Sequence, residues 1–449
     1  MTIRWPWLLL FLALSPAAAA DKPNIIVVLA DDLGFSDLSV YGGKTPTKSL
    51  DRMAEEGTRF TRFYVSAPIC SPSRCGLITG QFPARWRITS YLQTKAGNRA
   101  CGQADYLDPK APSLPRALKD AGYRTAHIGK WHLGGGRDVA DAPKFAAYGY
   151  DLGLGSWESP EPAPELGVKF PPWAEKSEPG QVARHDRTRW MVDRTLQSLK
   201  DNRGRPCFVN LWLDDTHTPF RPSPDQLAAV KSPGDPPQVA NFKAVLVEMD
   251  RQIGRLLDGV RELKLEKETL VLFFGDNGAL PTFEQTRVGG LRGSKLSLYE
   301  GGIREPLIAW WPGRVPAGRV NDDTVLSGVD LFPTLCRVAG AGVPEGATLD
   351  GEDLSPALFG KTPARTRPLF WEYGRNETAF AYPKEKEHHS PAVAVREGKW
   401  KLLVNPDGSA AELYDILADP NETKNLAATQ LDVAKRLTEM ALAWRKSLP

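Results

Sequence analysis

The chain has 449 residues, five cysteines and a formal net charge of +3 at pH 7. This length is too great for one small hydrophobic core and suits a large domain followed by a smaller one. The slight positive charge is dispersed along the chain. This dispersed charge gives no reason to expect a nucleic-acid partner, because nucleic-acid-binding proteins concentrate basic residues on one surface.

Residues 1–20 have the composition of a signal peptide. Arg4 precedes an apolar run at residues 5–14, and three alanines end the segment at Ala20. The apolar run is shorter than the about 20 residues that a membrane-spanning helix needs. The sequence therefore predicts an exported protein, periplasmic or secreted, with no membrane span once the signal has been removed.

The next part of the chain alternates between strand and helix patterns. Continuous or β-rich apolar runs predict strands at residues 24–30, 123–128, 207–213, 269–275 and 306–311. Helical spacing and end signals predict helices at residues 47–56, 113–121, 188–199, 239–263 and 330–339. This alternation is typical of an α/β fold, with a large, mixed, mostly parallel sheet sandwiched between helices.

Residues 69–80 contain a cysteine at the expected start of a helix. Pro72 fixes its φ angle and suits the first turn, so a helix beginning near it would have Cys70 at its mouth. Amide groups at a helix start favour an anion, and Arg74 adds a positive charge one turn on. The chemical interpretation is a nucleophile facing an oxyanion. The alternative is a buried structural cysteine beside a solvent-facing arginine.

Each of the first four predicted strands ends in polar residues. In strand order these are Asp31 and Asp32; Lys130 and His132; Asp214, Asp215, Thr216 and His217; and Asp276 and Asn277. Ligands of open α/β sheets bind beyond the carboxyl ends of the strands. One aspartate alone would more often form a turn or a helix cap. Four polar strand ends at one edge predict a site.

The segment after the second strand has its own pattern. Lys130 and His132 are two residues apart on an extended stretch and point to the same side, whereas His127 points the other way and is predicted to be structural. The triple glycine at residues 134–136 is predicted to be a flexible loop. Residues 151–179, rich in Pro, Glu and Trp, are predicted to form a long surface loop that shapes a substrate site.

The last part of the chain changes character beyond residue 363. Short strand patterns at residues 392–396, 400–404 and 412–414 precede a helical pattern at 430–446. This predicts a small antiparallel sheet packed with one helix. The domain prediction is therefore a signal peptide at 1–20, a catalytic domain at 21–362 and an α+β subdomain at 363–449.

The remaining cysteines are interpreted structurally. Cys207 and Cys336 lie in apolar patterns and are predicted to be buried thiols. A disulfide between Cys75 and Cys101 stays open, because export permits disulfides.

The motif Cys70-Ser71-Pro72-Ser73-Arg74, followed by Leu77-Ile78-Thr79-Gly80, resembles the signature of the type I sulfatases, within the alkaline-phosphatase-like superfamily. The resemblance extends to Glu412-Leu413-Tyr414-Asp415 near the end. It implies that Cys70 is oxidised to formylglycine by a formylglycine-generating or anaerobic maturation enzyme. It also implies hydrolysis of sulfate esters, and for an exported enzyme of this size we expect sulfated carbohydrates as substrates.

The resemblance also implies roles for individual residues. One calcium ion would be bound by Asp31, Asp32, Asp276, Asn277 and the modified Cys70. The catalytic residues would be Cys70, Arg74, Lys130, His132, His217 and Lys295, and substrate would be bound by Lys130, His217, Lys295 and Ser156. In this scheme Arg74 and Lys130 hold the formylglycine hydrate, His132 is a base, and His217 and Lys295 face the sulfate and the leaving oxygen. Two positions depart from the family pattern: Cys75, where alanine is common, and Thr216, where proline is usual.

Two rival functions are weighed against a sulfatase. The first is a phosphatase or phosphonate hydrolase of the same superfamily, which Asn277 in place of a histidine ligand opposes. The second is an exported carbohydrate-binding protein whose catalytic site is a relic. The presence of Cys70, Arg74 and the other catalytic residues opposes the second.

Overall fold

The structure is a computed structural model that describes residues 22–171, 174, 178–230, 232–281, 283, 286–376 and 378–449. The predicted signal peptide lies outside the described residues, as do five residues of the predicted loop at 151–179. Within the described ranges, no helix combines the length and the apolar character needed to cross a bilayer.

The predicted strands and helices all occur in the predicted order, together with further short elements that the sequence pattern did not predict. The strands are β1 (Asn24–Ala30), β2 (Thr58–Tyr64), β3 (Arg124–Gly129), β4 (Leu152–Gly155), β5 (Cys207–Trp212), β6 (Thr269–Gly275), β7 (Arg304–Trp310), β8 (Arg319–Asn321), β9 (Leu326–Ser327), β10 (Leu369–Glu372), β11 (Val393–Glu397), β12 (Trp400–Val404) and β13 (Glu412–Asp415). The helices are α1 (Lys48–Glu55), α2 (Cys70–Thr79), α3 (Lys95–Ala100), α4 (Leu114–Asp120), α5 (Arg187–Asp201), α6 (Pro224–Val230), α7 (Pro237–Glu262), α8 (Glu300–Ile303), α9 (Leu331–Ala339), α10 (Ser355–Leu358) and α11 (Leu431–Lys446).

The described strands form one large sheet and one small sheet. The large sheet has nine strands in the order β4-β3-β5-β1-β6-β7-β2-β8, with β9 also paired to β2. β7 runs antiparallel to both of its neighbours, and the other pairings are parallel. The predicted large, mixed, mostly parallel sheet is confirmed.

Helices cover both faces of this sheet. In β1, Ile25, Val27 and Leu29 enter one hydrophobic core, and the alternate residues Ile26 and Val28 enter a second core on the opposite face. α1, α5 and α7 pack against one another on the side of the second core, while α2, α4 and α9 form the layer over the first. A strand buried on both faces needs a continuous apolar run, which is why β1 and β6 have the predicted bounds.

The small sheet is antiparallel, in the order β10-β11-β12-β13, and α11 packs on it. The Phe370 and Trp444 rings stack at 4.9 Å between sheet and helix. This confirms the predicted antiparallel sheet with one helix. Its apolar residues continue the core on the α2 side of the large sheet, and the domain boundary at 362/363 stays a prediction.

Two expectations from the sequence need correction. α2 begins at Cys70, two residues before the predicted start at Pro72. The predicted loop at 151–179 contains β4 at the edge of the large sheet, and residues 164–166 form a 3₁₀ turn. The disulfide between Cys75 and Cys101, which the sequence leaves open, does not form, because all five cysteines are described and all are free.

Candidate active site

The polar residues at the strand ends meet because β3, β5, β1 and β6 are neighbours in that order. Backbone hydrogen bonds continue past the last strand residues and fix the polar segments. The Lys130 amide donates to the Trp212 carbonyl at 2.9 Å, and the Asp276 amide donates to the Ala30 carbonyl at 3.0 Å. The side chains that follow these strands therefore share one edge of the sheet.

The buried carboxylates at this edge are paired with buried cations. Lys130 Nζ lies 2.6 Å from Asp31 Oδ2, and Lys295 Nζ lies 2.6 Å from Asp32 Oδ1. Arg74 donates from Nε and Nη2 to Oδ2 of Asp276, at 3.0 and 2.7 Å. Arg74 is fully buried, which rules out the alternative of a solvent-facing arginine beside a structural cysteine.

Burial and neighbouring charges shift the pKa values of these groups in opposite directions. Burial alone would raise the pKa of Asp31, but Lys130, His217 and Arg74 outweigh it and hold that pKa well below its usual range. Burial would likewise lower the pKa of Lys130 and of Lys295, but the facing aspartates raise both. The lysine–aspartate pairs are therefore charged at neutral pH.

Three oxygens at the centre of this cluster lack a hydrogen-bond donor. They are Asp31 Oδ1, Asp32 Oδ2 and Asn277 Oδ1, all buried and without a hydrogen-bond partner among the described residues; the nearest cationic nitrogens are Arg74 Nη2, 3.5 Å from Asp31 Oδ1, and His217 Nε2, 3.7 Å from Asp32 Oδ2. Ligand atoms of Asp31, Asp32 and Cys70 all lie within 4.8 Å of one another. Asp276 differs, because its Oδ1 already accepts from the Asp32 amide at 3.0 Å and its Oδ2 from Arg74. Unpartnered carboxylate and amide oxygens at one point suit a hard cation such as calcium.

Cys70 is the first residue of α2 and lies beside these oxygens. Lys295 Nζ is 3.8 Å from its sulfur. Burial raises the pKa of the Cys70 thiol to about 11, although Lys130 and Lys295 act to lower it. An unmodified thiol here is protonated at neutral pH and is a poor nucleophile.

The two predicted catalytic histidines both line the cavity and have different hydrogen-bond partners. Nε2 of His132 is 3.0 Å from the Leu92 carbonyl. His217 has Nδ1 at 2.6 Å from the Thr218 carbonyl and Nε2 at 3.7 Å from Asp32 Oδ2. The departure at Thr216 has a structural explanation, since its hydroxyl donates to the Asp31 carbonyl at 2.5 Å.

Non-glycine residues with left-handed backbone geometry flank the site. Asp32 has φ 57°, His132 has φ 54°, and Leu296, next to Lys295, has φ 74°. Such conformations are costly for residues with a Cβ and are found at functional sites more often than elsewhere. The backbone is therefore strained at these three residues, and the strained conformations set the directions of the side chains at the site.

A cavity of about 400 Å³ opens over the cluster. The predicted site residues that line it are Asp31, Cys70, Lys130, His132, Ser156, His217 and Lys295. Arg74, Asp32, Asp276 and Asn277 are buried at the same edge and are not part of the lining. Asp214, one of the predicted strand-end polar residues, also lines the cavity, and so do four residues that were not predicted from the sequence: Tyr91, Arg137, Glu158 and Arg184.

His127 lies apart from this cavity. Its ring stacks on Phe145 at 4.9 Å and packs edge-on against Trp131 and Trp212. Burial lowers its pKa to about 3, so the ring is neutral. The prediction that His127 is structural is confirmed.

Comparison with known proteins identifies the class of enzyme. The sulfatase family profile matches residues 23–341, and the profile of the N-sulphoglucosamine sulphohydrolase C-terminal region matches residues 294–446. Arylsulfatase A of Homo sapiens is 32% identical, covering 93% of this chain and 86% of that protein. N-acetylgalactosamine-6-sulfatase of Canis lupus familiaris is 32% identical, covering 86% of this chain and 75% of that protein.

Solved structures show the same architecture. Ps i-CgsB in complex with k-i-k-neocarrahexaose is 25% identical with a TM-score of 0.75, covering 94% of this chain and 92% of that one. The phosphonate monoester hydrolase of Agrobacterium radiobacter shares the fold, at 22% identity and a TM-score of 0.67, covering 95% of this chain and 96% of that one. The fold is that of the alkaline-phosphatase-like superfamily. Within it, the chain belongs to the sulfatase family and is a sulfuric ester hydrolase.

Proposed function

We propose that this protein is an exported sulfatase that removes sulfate from sulfated carbohydrates, using formylglycine made from Cys70 and one bound calcium ion. The observation that carries this proposal is the position of Cys70, which lines the cavity with its sulfur 3.8 Å from Lys295 Nζ and within 4.8 Å of ligand oxygens of Asp31 and Asp32. Two relatives support a sugar substrate by their names: one structure holds a neocarrahexaose, and another relative is an N-acetylgalactosamine-6-sulfatase.

The donor set fits calcium. Asp31, Asp32 and Asn277 would each give one unpartnered oxygen, with position 70 and Asp276 completing the shell. A bound calcium ion would act as a Lewis acid toward a sulfate oxygen and would offset the repulsion among the carboxylates.

Formylglycine at position 70 would supply a geminal diol, with one hydroxyl to attack sulfur and a second that allows sulfate to be released. The high pKa of the unmodified thiol is consistent with a need for this conversion. The maturation enzyme that performs it would act on residues 70–74 before they are buried in α2.

The chain's own residues would bind the sulfate and orient it. Lys130 and Lys295 line the cavity with charged ammonium groups whose pKa values are raised, so they can donate to sulfate oxygens throughout the neutral range. Arg74 does not line the cavity and would support these groups indirectly, because it donates to Asp276 and, at 2.7 Å, to the Lys130 carbonyl. Ser156 lies on the same wall and would give a hydroxyl to the sulfate.

Protons would move through the two histidines. His217 is about a quarter exposed and faces the cavity, so it would deliver a proton to the oxygen that leaves with the sugar. His132, which also lines the cavity, would take the proton from the hydroxyl that remains at position 70. Separate donor and acceptor suit a reaction in which attack and release use different protons.

The experiment that tests this function is a panel of sulfated mono-, oligo- and polysaccharides, incubated with enzyme from a maturation-competent host and assayed for free sulfate. We expect sulfate from at least one sugar and none with Cys70→Ala. Phosphate and phosphonate esters form the second arm. Faster turnover of those esters than of any sulfate ester would favour the phosphatase function, and binding of sugar without any turnover would favour the relic.

A further inference from the structure

The ring of His132 is fixed by what surrounds its Nε2 atom. That nitrogen lies 3.0 Å from the Leu92 carbonyl and 3.4 Å from Oε1 of Glu158, and both are acceptors. Nδ1 is buried and has no hydrogen-bond partner among the residues that the structure describes. Two acceptors at Nε2 require the ring proton to be there, which leaves the Nδ1 lone pair free on the residue that lines the cavity.

Glu158 is held in place by a second contact. Arg137 Nη2 donates to the same Oε1 at 2.7 Å, and the Glu158 side chain is only 5% exposed. Burial would raise its pKa, but His132, Lys130 and Arg137 outweigh burial and hold the pKa below its usual range. The group beside the histidine is therefore a carboxylate at neutral pH.

The backbone also joins the two residues. The His132 amide donates to the Glu158 carbonyl at 3.1 Å. The residues around Glu158 can come this close because of the triple glycine. A Cβ on Gly135 would lie 2.3 Å from the Ser159 carbonyl carbon, and one on Gly136 would lie 2.6 Å from the Trp157 oxygen. The glycines thus permit a close approach that any side chain would block.

We propose that Glu158 is a positioning residue for His132, fixing the tautomer that presents Nδ1 as the base and stabilising the imidazolium that forms when Nδ1 takes up a proton. The proposal rests on the proposed sulfatase function. In the step concerned, the hydroxyl that remains at position 70 would lose its proton to Nδ1, and its oxygen would form the C=O bond of the aldehyde. The bond between that carbon and the sulfate ester oxygen would break, and sulfate would leave with the electron pair. The proton on Nε2 stays where it is, Glu158 stays ionised, and the ring later returns its extra proton to water.

The kinetic test compares Glu158→Gln with Glu165→Gln, a matched control in the same segment whose side chain is 43% exposed. We expect kcat of Glu158→Gln to fall about 10- to 100-fold with KM changed less than about 3-fold, as for other groups that orient a catalytic side chain. Glu158→Asp should recover part of the loss, because it keeps the charge. Glu165→Gln should behave as the wild type. A kcat of Glu158→Gln within twofold of the wild type would overturn the proposal.

A double-mutant cycle separates positioning from a general structural effect. If Glu158 acts through His132, then adding Glu158→Gln to His132→Ala should cost no further activity. Equal losses from Glu158→Gln with and without His132 would overturn the proposal. Thermal unfolding of each variant by circular dichroism shows whether it is folded. If Glu158→Gln does not fold, the cycle is run with Glu158→Asp.

A readout besides activity is the ¹H–¹⁵N correlation spectrum of protein labelled with ¹⁵N at its histidine rings. The His132 signals are assigned as those lost in His132→Ala. We expect a neutral ring protonated at Nε2, and an upfield shift of that proton in Glu158→Gln, since an amide is a weaker acceptor than a carboxylate. A ring protonated at Nδ1, or no shift in the variant, would overturn the proposal. These spectra need no turnover. Wild-type enzyme that releases no sulfate would therefore refute the proposed function and leave the tautomer as a separate result.

Discussion

The catalytic edge of the large sheet and the junction between α8 and the small sheet both bury lysines and carboxylates. At the junction, Lys401 Nζ lies 3.0 Å from Glu300 Oε1 and 2.9 Å from Glu422 Oε1. The Tyr64 hydroxyl donates to the other Glu300 oxygen at 2.6 Å, and the Glu300 amide donates to Glu422 at 2.7 Å. All three charged side chains of this junction are fully buried.

The two regions differ in what their polar atoms face. At the junction, one lysine pairs with two carboxylates at 3.0 and 2.9 Å, and none of the three residues lines the cavity over the catalytic edge. At the catalytic edge, the lysines are paired too, yet Asp31, Asp32 and Asn277 each keep an unpartnered oxygen, and Cys70 faces a cavity. Buried charge alone therefore does not mark a site. Polar atoms that lack a partner beside a cavity do, because their desolvation is offset only when a ligand binds.

The largest effect that separates the two regions should come from Cys70→Ala. We expect turnover to fall by about 10⁴-fold or more, since the nucleophile is lost, while the melting temperature changes little because the side chain ends at a cavity. The matched control is Cys75→Ala on the same helix, a buried cysteine outside the cavity lining, which should keep its activity. Mass spectrometry of the peptide carrying residue 70 should show an aldehyde. A free thiol in fully active enzyme would contradict the maturation proposal.

Removal of calcium should have the next largest effect. Without calcium, the buried oxygens Asp31 Oδ1, Asp32 Oδ2 and Asn277 Oδ1 keep no hydrogen-bond partner, although Lys130 and Lys295 still pair with the two aspartates, so both sulfate binding and the local geometry should suffer. We expect chelation to remove activity and lower the melting temperature, and added calcium to restore both. Full activity after exhaustive chelation, with no metal found by elemental analysis, would count against the calcium site.

How accurately the sequence predicts the secondary structure of a segment depends on how regular its hydrophobic pattern is. β1 and β6 are continuous apolar runs because both of their faces are buried, and their predicted bounds match the structure. β2, with the sequence TRFTRFY, was not predicted. It pairs with β7 on one side and with only the short β8 and β9 on the other, so two arginines in it stay partly exposed.

Some residues of the candidate site could likewise be predicted from the sequence and others could not. Residues at strand ends could be predicted to converge, because the carboxyl ends of neighbouring parallel strands share an edge. Glu158 could not be predicted, because it lies in an aperiodic segment whose position depends on a close approach to Gly135 and Gly136. The left-handed backbone conformation at His132 could not be predicted either, because the sequence has no glycine at that position. Contacts made by loops across the fold depend on tertiary packing, which local patterns do not encode.

Within the catalytic edge, His217→Ala should distinguish leaving-group protonation from sulfate binding. A sugar alkoxide is a poor leaving group and needs a proton in the transition state, so we expect a loss of about 10²–10⁴-fold on a sugar sulfate. A nitrophenolate leaves unaided, and the same variant should lose far less on an aryl sulfate. His132→Ala, which acts at the shared release step, should slow both substrates. Equal losses for His217→Ala on the two substrates, with chemistry rate-limiting, would remove the acid role.

At the junction, Lys401→Met should act on stability and not on the chemistry. Removing the ammonium leaves Glu300 and Glu422 buried against each other, and breaking such a buried pair costs about 3–5 kcal/mol in the free energy of unfolding. Lys399→Met is the matched control, because Lys399 is half exposed and pairs with Asp415 at the surface, where an ion pair contributes about 1 kcal/mol or less. We expect kcat of folded Lys401→Met to equal that of the wild type.

The loss in Lys401→Met should also depend on pH. Burial raises the pKa of Glu422 to about 7 in the wild type, with Glu300 adding to the rise and Lys401 opposing it. Removing Lys401 should raise this pKa further above its value in the unfolded chain. A carboxyl whose pKa is raised by folding binds its proton more tightly in the folded state, so the folded state loses stability as pH rises from about 4 through the folded pKa. Urea unfolding should therefore show a larger deficit relative to the wild type at pH 8 than at pH 5.5. A deficit that is the same at both pH values would mean that Lys401 stabilises the junction by packing alone.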